Sequence, residues 1–323
     1  MATRNSSYIG EGTYGCVYRK HLPCRKKKAF ATPTVGKVFV KEYEASLEKN
    51  IQEIVEKLDP AHEFSLPMYN SCTVQVTDPI FRKELKKCSL IKTSSKPYKQ
   101  LIYRDGGKDL RSIMRKKGSK AGFLRIFKRI GPILQGIKLL YENGYAHQDI
   151  KPANMMFDGS KVYLIDFGIM DEMQGIFAMQ NKRVLSHHYP YYPPEFKLFV
   201  YGKTFNNFYL KFLNNFDFNF DIGGKRVQLL DLFETVLDFD IKDELRSAFN
   251  LKKRSFIGSK VDVYSLGILL FELYMWSGLE ERQEKKAFCQ KVKALIRGMV
   301  QFNVEKRFSI VEAIEAYAKI YSK

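Results

Sequence analysis

The sequence predicts an α+β protein: a small antiparallel β-sheet lobe with one helix, then a larger, mainly helical lobe. Three observations predict it. Short extended runs and turns dominate the first hundred residues. Helical periodicity takes over further on and dominates from Val261. Asp105-Gly106-Gly107 marks the change and permits a hinge.

The elements follow in order. Tyr8 to Arg19 reads as strand, glycine-rich turn, strand, and Val35 to Val40 as another short strand. Leu47, Ile51, Ile54, Val55 and Leu58 share one helical face, so Leu47 to Leu58 is expected to be a helix, ended by Asp59-Pro60. Thr73 to Val76 and Gln100 to Tyr103 are strand candidates, and the basic stretch Arg82 to Lys99 between them reads as a loop. Phe123 to Asn143 predicts one long amphipathic helix. Phe127, Ile130, Ile133, Leu134, Ile137 and Leu140 lie on its apolar side, and Asn143-Gly144 stops it. Extended pieces are expected around Ala146 and over Val162 to Ile165, and a helix over Gln228 to Leu237. The expected division is residues 1–104 and 105–323, with the join near Tyr103 to Lys108.

Bulk composition narrows the class. Of 323 residues, 45% are apolar and 28% charged, as in ordinary soluble globular proteins. No apolar run reaches membrane-spanning length, and polar Met1 to Gly10 lacks a signal peptide's apolar core. An intracellular, soluble monomer is expected. Cys16, Cys24, Cys72, Cys88 and Cys289 are odd in number and scattered, which argues against disulfides or a zinc site and for a reducing compartment. Lys plus Arg is 54 against 35 acids, a formal charge of +19. That balance favours an acidic partner, nucleic acid or an anionic membrane surface; the plainer reading is a solvated surface. The tightest basic cluster is Arg25-Lys26-Lys27-Lys28.

The strongest chemical signal is His147-Gln148-Asp149-Ile150-Lys151-Pro152-Ala153-Asn154. Asp166-Phe167-Gly168 follows Asp149 by seventeen residues, behind the apolar run Val162 to Ile165. Either aspartate alone would more often be a surface or capping residue. A second signal is Ile9-Gly10-Glu11-Gly12-Thr13-Tyr14-Gly15-Cys16-Val17, which joins two strand-like pieces and is not followed by a helix. That context disfavours a dinucleotide-binding turn. Val35-Gly36-Lys37-Val38 puts a lysine inside an apolar strand; Lys41 is its rival.

Together these motifs resemble the catalytic loop, DFG turn, glycine-rich loop and strand lysine of eukaryotic-type protein kinases. The resemblance implies a bilobal protein-kinase fold with ATP and Mg2+ (or Mn2+) as cofactors. It implies Asp149 as base for the acceptor hydroxyl, Lys151 steadying the moving phosphate, and Asn154 and Asp166 as metal ligands. Ile9, Gly10, Glu11, Gly12, Thr13, Tyr14, Gly15 and Val17 would cover the nucleotide, and Lys37 would hold its α- and β-phosphates. Glu44, Glu48 and Glu53 are candidate partners for Lys37. Glu48, on the edge of the apolar face, is preferred, and Glu53 falls on the polar side.

Pro193-Pro194-Glu195, Asp262-Val263-Tyr264-Ser265-Leu266-Gly267 and Arg307 resemble large-lobe signatures of the same family, with Glu195 and Arg307 expected to form a buried ion pair. Lys151-Pro152 is of the serine/threonine type, so a Ser/Thr hydroxyl on a protein is the implied acceptor. Three departures stand out, one being the basic insertions in a small lobe otherwise compact around its helix. Gln148 replaces the usual arginine, which implies less dependence on activation-loop phosphorylation. The stretch 196–259 is an insertion, rich in Phe and Asn, read as added helices packed on the large lobe, with a dedicated docking surface as the alternative. Leu58-Asp59-Pro60, Gly106-Gly107-Lys108-Asp109-Leu110 and Tyr191-Tyr192-Pro193-Pro194-Glu195-Phe196 look like kinases of large DNA viruses, which would place the protein in host cytoplasm or virion. A pseudokinase scaffold or a nucleic-acid-associated binding protein is the alternative. The scaffold predicts a lost metal or base residue, and none is lost.

Overall fold

The computed structural model describes residues 7–12, 14–24, 30–74, 79–92, 97–172, 189–195, 204–215, 219–222, 225–251, 258–279 and 286–321. The predicted basic cluster at 25–28 and Thr13 lie outside them. The chain divides into two compact units, Met1–Gly107 and Lys108–Lys323.

Unit 1 is a five-stranded antiparallel sheet of order β1-β2-β3-β5-β4. Its strands are β1 (Tyr8–Glu11), β2 (Gly15–Arg19), β3 (Thr34–Phe39), β4 (Met68–Thr73) and β5 (Lys99–Arg104). Alternation along the strands sorts residues to two faces. Cys16, Tyr18 and Val38 enter a buried cluster with Leu85, Cys88 and Tyr98. Phe39 and Leu101 pack instead with Ala45 of helix α1 (Glu42–Leu58). The buried stripe of α1 is Ala45, Glu48, Gln52 and Val55, whereas Leu47 is 43% exposed. The predicted apolar face was therefore rotated. Two polar side chains, Glu48 and Gln52, take buried places because each finds a partner: Gln52 donates to the Leu66 carbonyl at 3.0 Å.

Two further expectations for unit 1 are corrected. The supposed loop after residue 82 is entered by helix α2 (Pro79–Leu85), whose Leu85 is fully buried. The cysteines are paired: Cys16 with Cys88 and Cys24 with Cys72, leaving buried Cys289 as the free thiol. Scattered positions in the sequence said nothing of spatial proximity, and the sheet brings their Cα atoms to 6.0 and 5.8 Å. The argument from unpaired cysteines to a reducing compartment loses its basis.

Unit 2 opens with β6 (Lys108–Asp109) and α3 (Leu110–Met114). The long helix expected over Phe123 to Asn143 is two helices, α4 (Lys120–Phe127) and α5 (Gly131–Glu142). Gly131 and Pro132 fit the first turn of a new helix better than the interior of an old one. Three short strands follow, β7 (Tyr145–Ala146), β8 (Met155–Phe157) and β9 (Val162–Leu164), then β10 (Asp171–Glu172), which pairs with β7. In the 196–259 stretch lie α6 (Phe205–Asn215), the hairpin β11 (Asn219–Ile222) and β12 (Lys225–Gln228), α7 (Leu229–Leu237) and α8 (Ile241–Phe249). Phe208, Phe212, Phe233 and Phe239 are buried, in an aromatic cluster with Phe249 and Phe302. Among the described residues of this stretch, Phe208, Phe212, Phe233 and Phe239 are core.

Helix α9 (Gly258–Trp276) is the spine of unit 2, packed by α4, α5, α10 (Lys286–Met299) and α11 (Ile310–Tyr321). Val261 to Phe271 is buried throughout, the signature of an interior helix. Among the described residues, no helix is long and apolar enough to cross a membrane.

Candidate active site

The predicted site residues fall into two groups, one in each unit. In unit 2 the catalytic loop hangs between β7 and β8. Fully buried Asp262 of α9 anchors it: its carboxylate accepts the His147 N–H at 2.7 Å and the Gln148 N–H at 2.8 Å. Burial raises the Asp262 carboxyl, while these two N–H groups work against the rise. Gln148 sits at φ 66°, a left-handed conformation that costs a non-glycine residue about 1–3 kcal/mol. The Asp262 bond to its N–H helps to offset that cost. The Gln148 side chain donates to the Ile169 carbonyl at 2.9 Å. The loop is thus tied to the segment after Asp166 by Gln148 itself.

His147 Nδ1 accepts the Asp149 N–H at 3.1 Å, and Nε2 lies 3.2 Å from the Ile165 carbonyl. A neutral ring protonated on Nε2 satisfies both contacts. Its edge packs on Phe167, with centroids 4.8 Å apart. The Asp149 carboxylate receives Lys151 Nζ at 2.9 and 2.8 Å and Asn154 Nδ2 at 2.8 Å. Asn154 Nδ2 also donates to the Asp149 carbonyl at 2.9 Å. The amide nitrogen is committed, so the amide oxygen is the end that can serve a cation.

The β8–β9 hairpin brings Asp166 near. Met155 pairs with Leu164, and the Ile165 N–H donates to the Asn154 carbonyl at 3.0 Å. Asn154 just before β8 and Asp166 just after β9 therefore share one end of the hairpin. Asp166 is exposed, at φ 62°. A carboxylate and an amide oxygen are hard donors, the set a magnesium-sized cation takes.

In unit 1, β1 and β2 carry Ile9, Gly10, Glu11, Gly15 and Val17; Gly12 and Tyr14 lie in the turn between them. A Cβ on Gly15 would collide with the Val38 carbonyl oxygen, so that position requires glycine. Val17 and Lys37 are direct cross-strand partners and project on the same face of the sheet. Lys37 Nζ lies 2.5 Å from Glu48 Oε2, and Tyr103 Oη donates to Glu48 Oε1 at 3.0 Å. Lys41 instead is the exposed residue that starts α1 and pairs with Glu44 at 3.4 Å. Glu53 pairs with Lys49 at the surface. Of the three glutamates left open by the sequence, Glu48 is the one on Lys37.

Arg307 meets Glu195 through its two terminal guanidinium nitrogens, Nη1 and Nη2, at 2.6 and 2.8 Å. Sequence reasoning missed two tyrosines of the Tyr189–Glu195 segment. Tyr189 Oη donates to Asp149 Oδ1, and Tyr191 Oη donates to Glu272 at 2.8 Å. The tyrosine-rich run around Pro190 is the signal; in the sequence, Tyr191 and Tyr192 figure only in a stretch similar to viral kinases, and Tyr189 carries no reading.

A protein kinase domain model matches residues 3–197. That is more than half of the 323 residues. The chain belongs to the protein kinase family, with the bilobal α+β fold of its eukaryotic type. Within it the chain resembles kinases of large DNA viruses. A probable serine/threonine-protein kinase of fowlpox virus is 25% identical over 184 residues, 54% of this chain and 55% of its own length. The B1 kinase of vaccinia virus is 26% identical over 140 residues, 38% of this chain and 47% of its own. The serine/threonine-protein kinase PTK2 of Candida glabrata is 38% identical over 101 residues, 28% of this chain and 12% of its own. The chain spans less than two thirds of each of these relatives.

Proposed function

We propose that this chain is an active ATP-dependent protein serine/threonine kinase, with residues 1–104 and 105–323 as its two lobes. The observation that carries the reading is the polar cluster on Asp149. Lys151 and Asn154 hold its carboxylate in one orientation, next to the hairpin end that bears Asp166. Phosphoryl transfer asks of a protein chiefly positioning and charge neutralisation.

In this reading Asp149 orients the acceptor hydroxyl and takes its proton as the acceptor oxygen bonds to the γ-phosphorus and ADP departs. Lys151 neutralises charge on the moving phosphoryl group. Asn154, through its amide oxygen, and Asp166 would hold the divalent cation, whose contribution is to neutralise the phosphates. Lys37, kept in place by Glu48, serves the α- and β-phosphates. The glycine-rich turn between β1 and β2 would lie over them, flanked by Ile9, Glu11 and Val17. Gln148 supports activity without loop phosphorylation, since it fastens the loop to Ile169 by an uncharged bond.

The test is phosphorylation of a basic, serine-containing protein by the purified chain with ATP and Mg2+. Asp149→Asn is expected to lower the rate by about 10²–10⁴-fold with an unchanged melting temperature. Equal rates for the two proteins would remove Asp149 from the mechanism. An inert wild type would favour the scaffold reading.

A further inference from the structure

The Asp149 carboxylate already carries a hydroxyl. Of its side-chain donors, Lys151 and Asn154 supply N–H groups. Tyr189 supplies an O–H, to Oδ1. The phenol ring is held by Tyr192 at 4.6 Å and Tyr191 at 5.3 Å between centroids, and Lys151 Nζ stands 5.6 Å from its own centroid. Burial first, and the charge on Asp149 second, push the phenol's ionisation upward, so it stays protonated and faces the carboxylate as a donor.

An acceptor serine or threonine brings the same functional group. To be deprotonated it must come within about 2.6–3.2 Å of an Asp149 oxygen. Lys151 and Asn154 are wanted where they are. The Tyr189 hydroxyl has no part in the transfer, and it is the donor that an arriving hydroxyl replaces like for like. We propose that Tyr189 is a positioning residue that acts through Asp149. Its O–H occupies the acceptor's place on Oδ1 in the resting chain, and the protein substrate engages the base by displacing it. The proposal rests on the reading of Asp149 as base.

Two consequences follow. With no protein acceptor, Tyr189 keeps the base engaged, so water is poorly activated and ATP is spared. With an acceptor, the internal hydroxyl competes and raises the acceptor KM. The exchange trades one O–H···O bond for another, so it costs little in bond count.

The experiment compares wild type, Tyr189→Phe, Tyr189→Leu and Asp149→Asn, each with ATP and Mg2+. Phosphate release is read without acceptor, and the kinetics of phosphorylation with a serine-containing basic peptide. Tyr189→Phe keeps the ring and loses only the hydroxyl; Tyr189→Leu is read in parallel in case either variant fails to melt cooperatively. The expected result is phosphate release faster by about tenfold, the factor one hydrogen bond to a charged group commands. The peptide KM falls by a similar factor, with kcat nearly constant. A ring with only a packing role would move neither. Unchanged hydrolysis with unchanged KM, or a fall in kcat at constant KM, overturns the proposal and leaves the Asp149 reading intact. Full activity of Asp149→Asn overturns both. Activity in Tyr189→Phe from an inert wild type supports both, and silence in both Tyr189 variants and wild type overturns both.

Discussion

Unit 1 and unit 2 hold polar groups in their interiors by different means. In unit 1 the ties include covalent links and an amide clamp on loops, beside the partly buried Lys37–Glu48 pair and the buried Asp59 carboxylate, which accepts the N–H groups of Glu63, Phe64 and Ser65. Cys16–Cys88 joins the strand after the glycine-rich turn to the end of the α2 region. Ser89 adds hydrogen bonds at 2.9 and 2.8 Å to Glu11 on β1. Cys24–Cys72 and Gln100, which brackets Leu22 through bonds at 2.9 and 2.8 Å, fix the segment between β2 and β3. In unit 2 the ties are charged groups on or beside a buried helix: Asp262 beneath the catalytic loop, Glu272 under Tyr191, Arg307 on Glu195. The difference follows from core size. A five-stranded sheet with one long helix buries modest apolar surface, and cross-links compensate. Unit 2 encloses a whole helix, and its interior carries these ionisable groups because each is hydrogen-bonded, Arg307 and Glu195 to one another as an ion pair.

The contrast can be broken most strongly in unit 2. Arg307→Ala leaves Glu195 without its charge partner, and a loss of about 3–5 kcal/mol is expected in denaturant unfolding. A loss below 1 kcal/mol would mean that the pair carries little of unit 2. In unit 1, Cys16→Ser with Cys88→Ser releases a link across 72 residues. A loss of about 2–4 kcal/mol is expected, confined to the transition of the sheet. Reductant, which opens Cys24–Cys72 as well, should lower the transition of unit 1 in wild type at least as far and spare that of unit 2.

A subtler effect separates the units by pH. Burial lifts the Glu272 carboxyl to about 7 from its ordinary 4.5. The folded chain therefore binds this proton more tightly than the unfolded chain. The contribution to stability is complete below about pH 4.5 and is lost as pH rises through about 7. Glu272→Gln, which still accepts from Tyr191, should gain on wild type over that window by up to about 3 kcal/mol. Parallel melting curves from pH 4.5 to 7.5 would refute it. The smallest effect expected is a contrast within α1. Glu48→Gln should raise the ATP KM, because Lys37 loses its anchor. Glu53→Gln, on the solvent side, should change neither phosphorylation nor melting temperature.

Much of the candidate site was legible in the sequence because its residues lie in short, ordered motifs. The spacing from Asp149 to Asp166 is the length of a 3-10 turn and a tight hairpin, so both carboxylates follow from local structure. Lys37 was legible as a lysine inside an apolar strand. Other features were not. The face of α1 was misjudged because a helix buries what its neighbours can satisfy, and Glu48 and Gln52 had partners that hydrophobic periodicity does not register. The continuous period through Ile130 concealed the break between α4 and α5. Tyr189 meets Asp149 across forty residues of chain, and no local pattern announces such a contact.

By itself the sequence determined the two-part α+β order, the family and the short-range grouping of Asp149, Lys151, Asn154 and Asp166. These depend on backbone propensity, turn residues and contacts a few positions apart. The tertiary structure alone decided which cysteines pair, which glutamate meets Lys37, what supports the strained Gln148 and what rests on Asp149. Each of those is a meeting of residues distant in the chain, fixed by strand register and by packing around one buried helix.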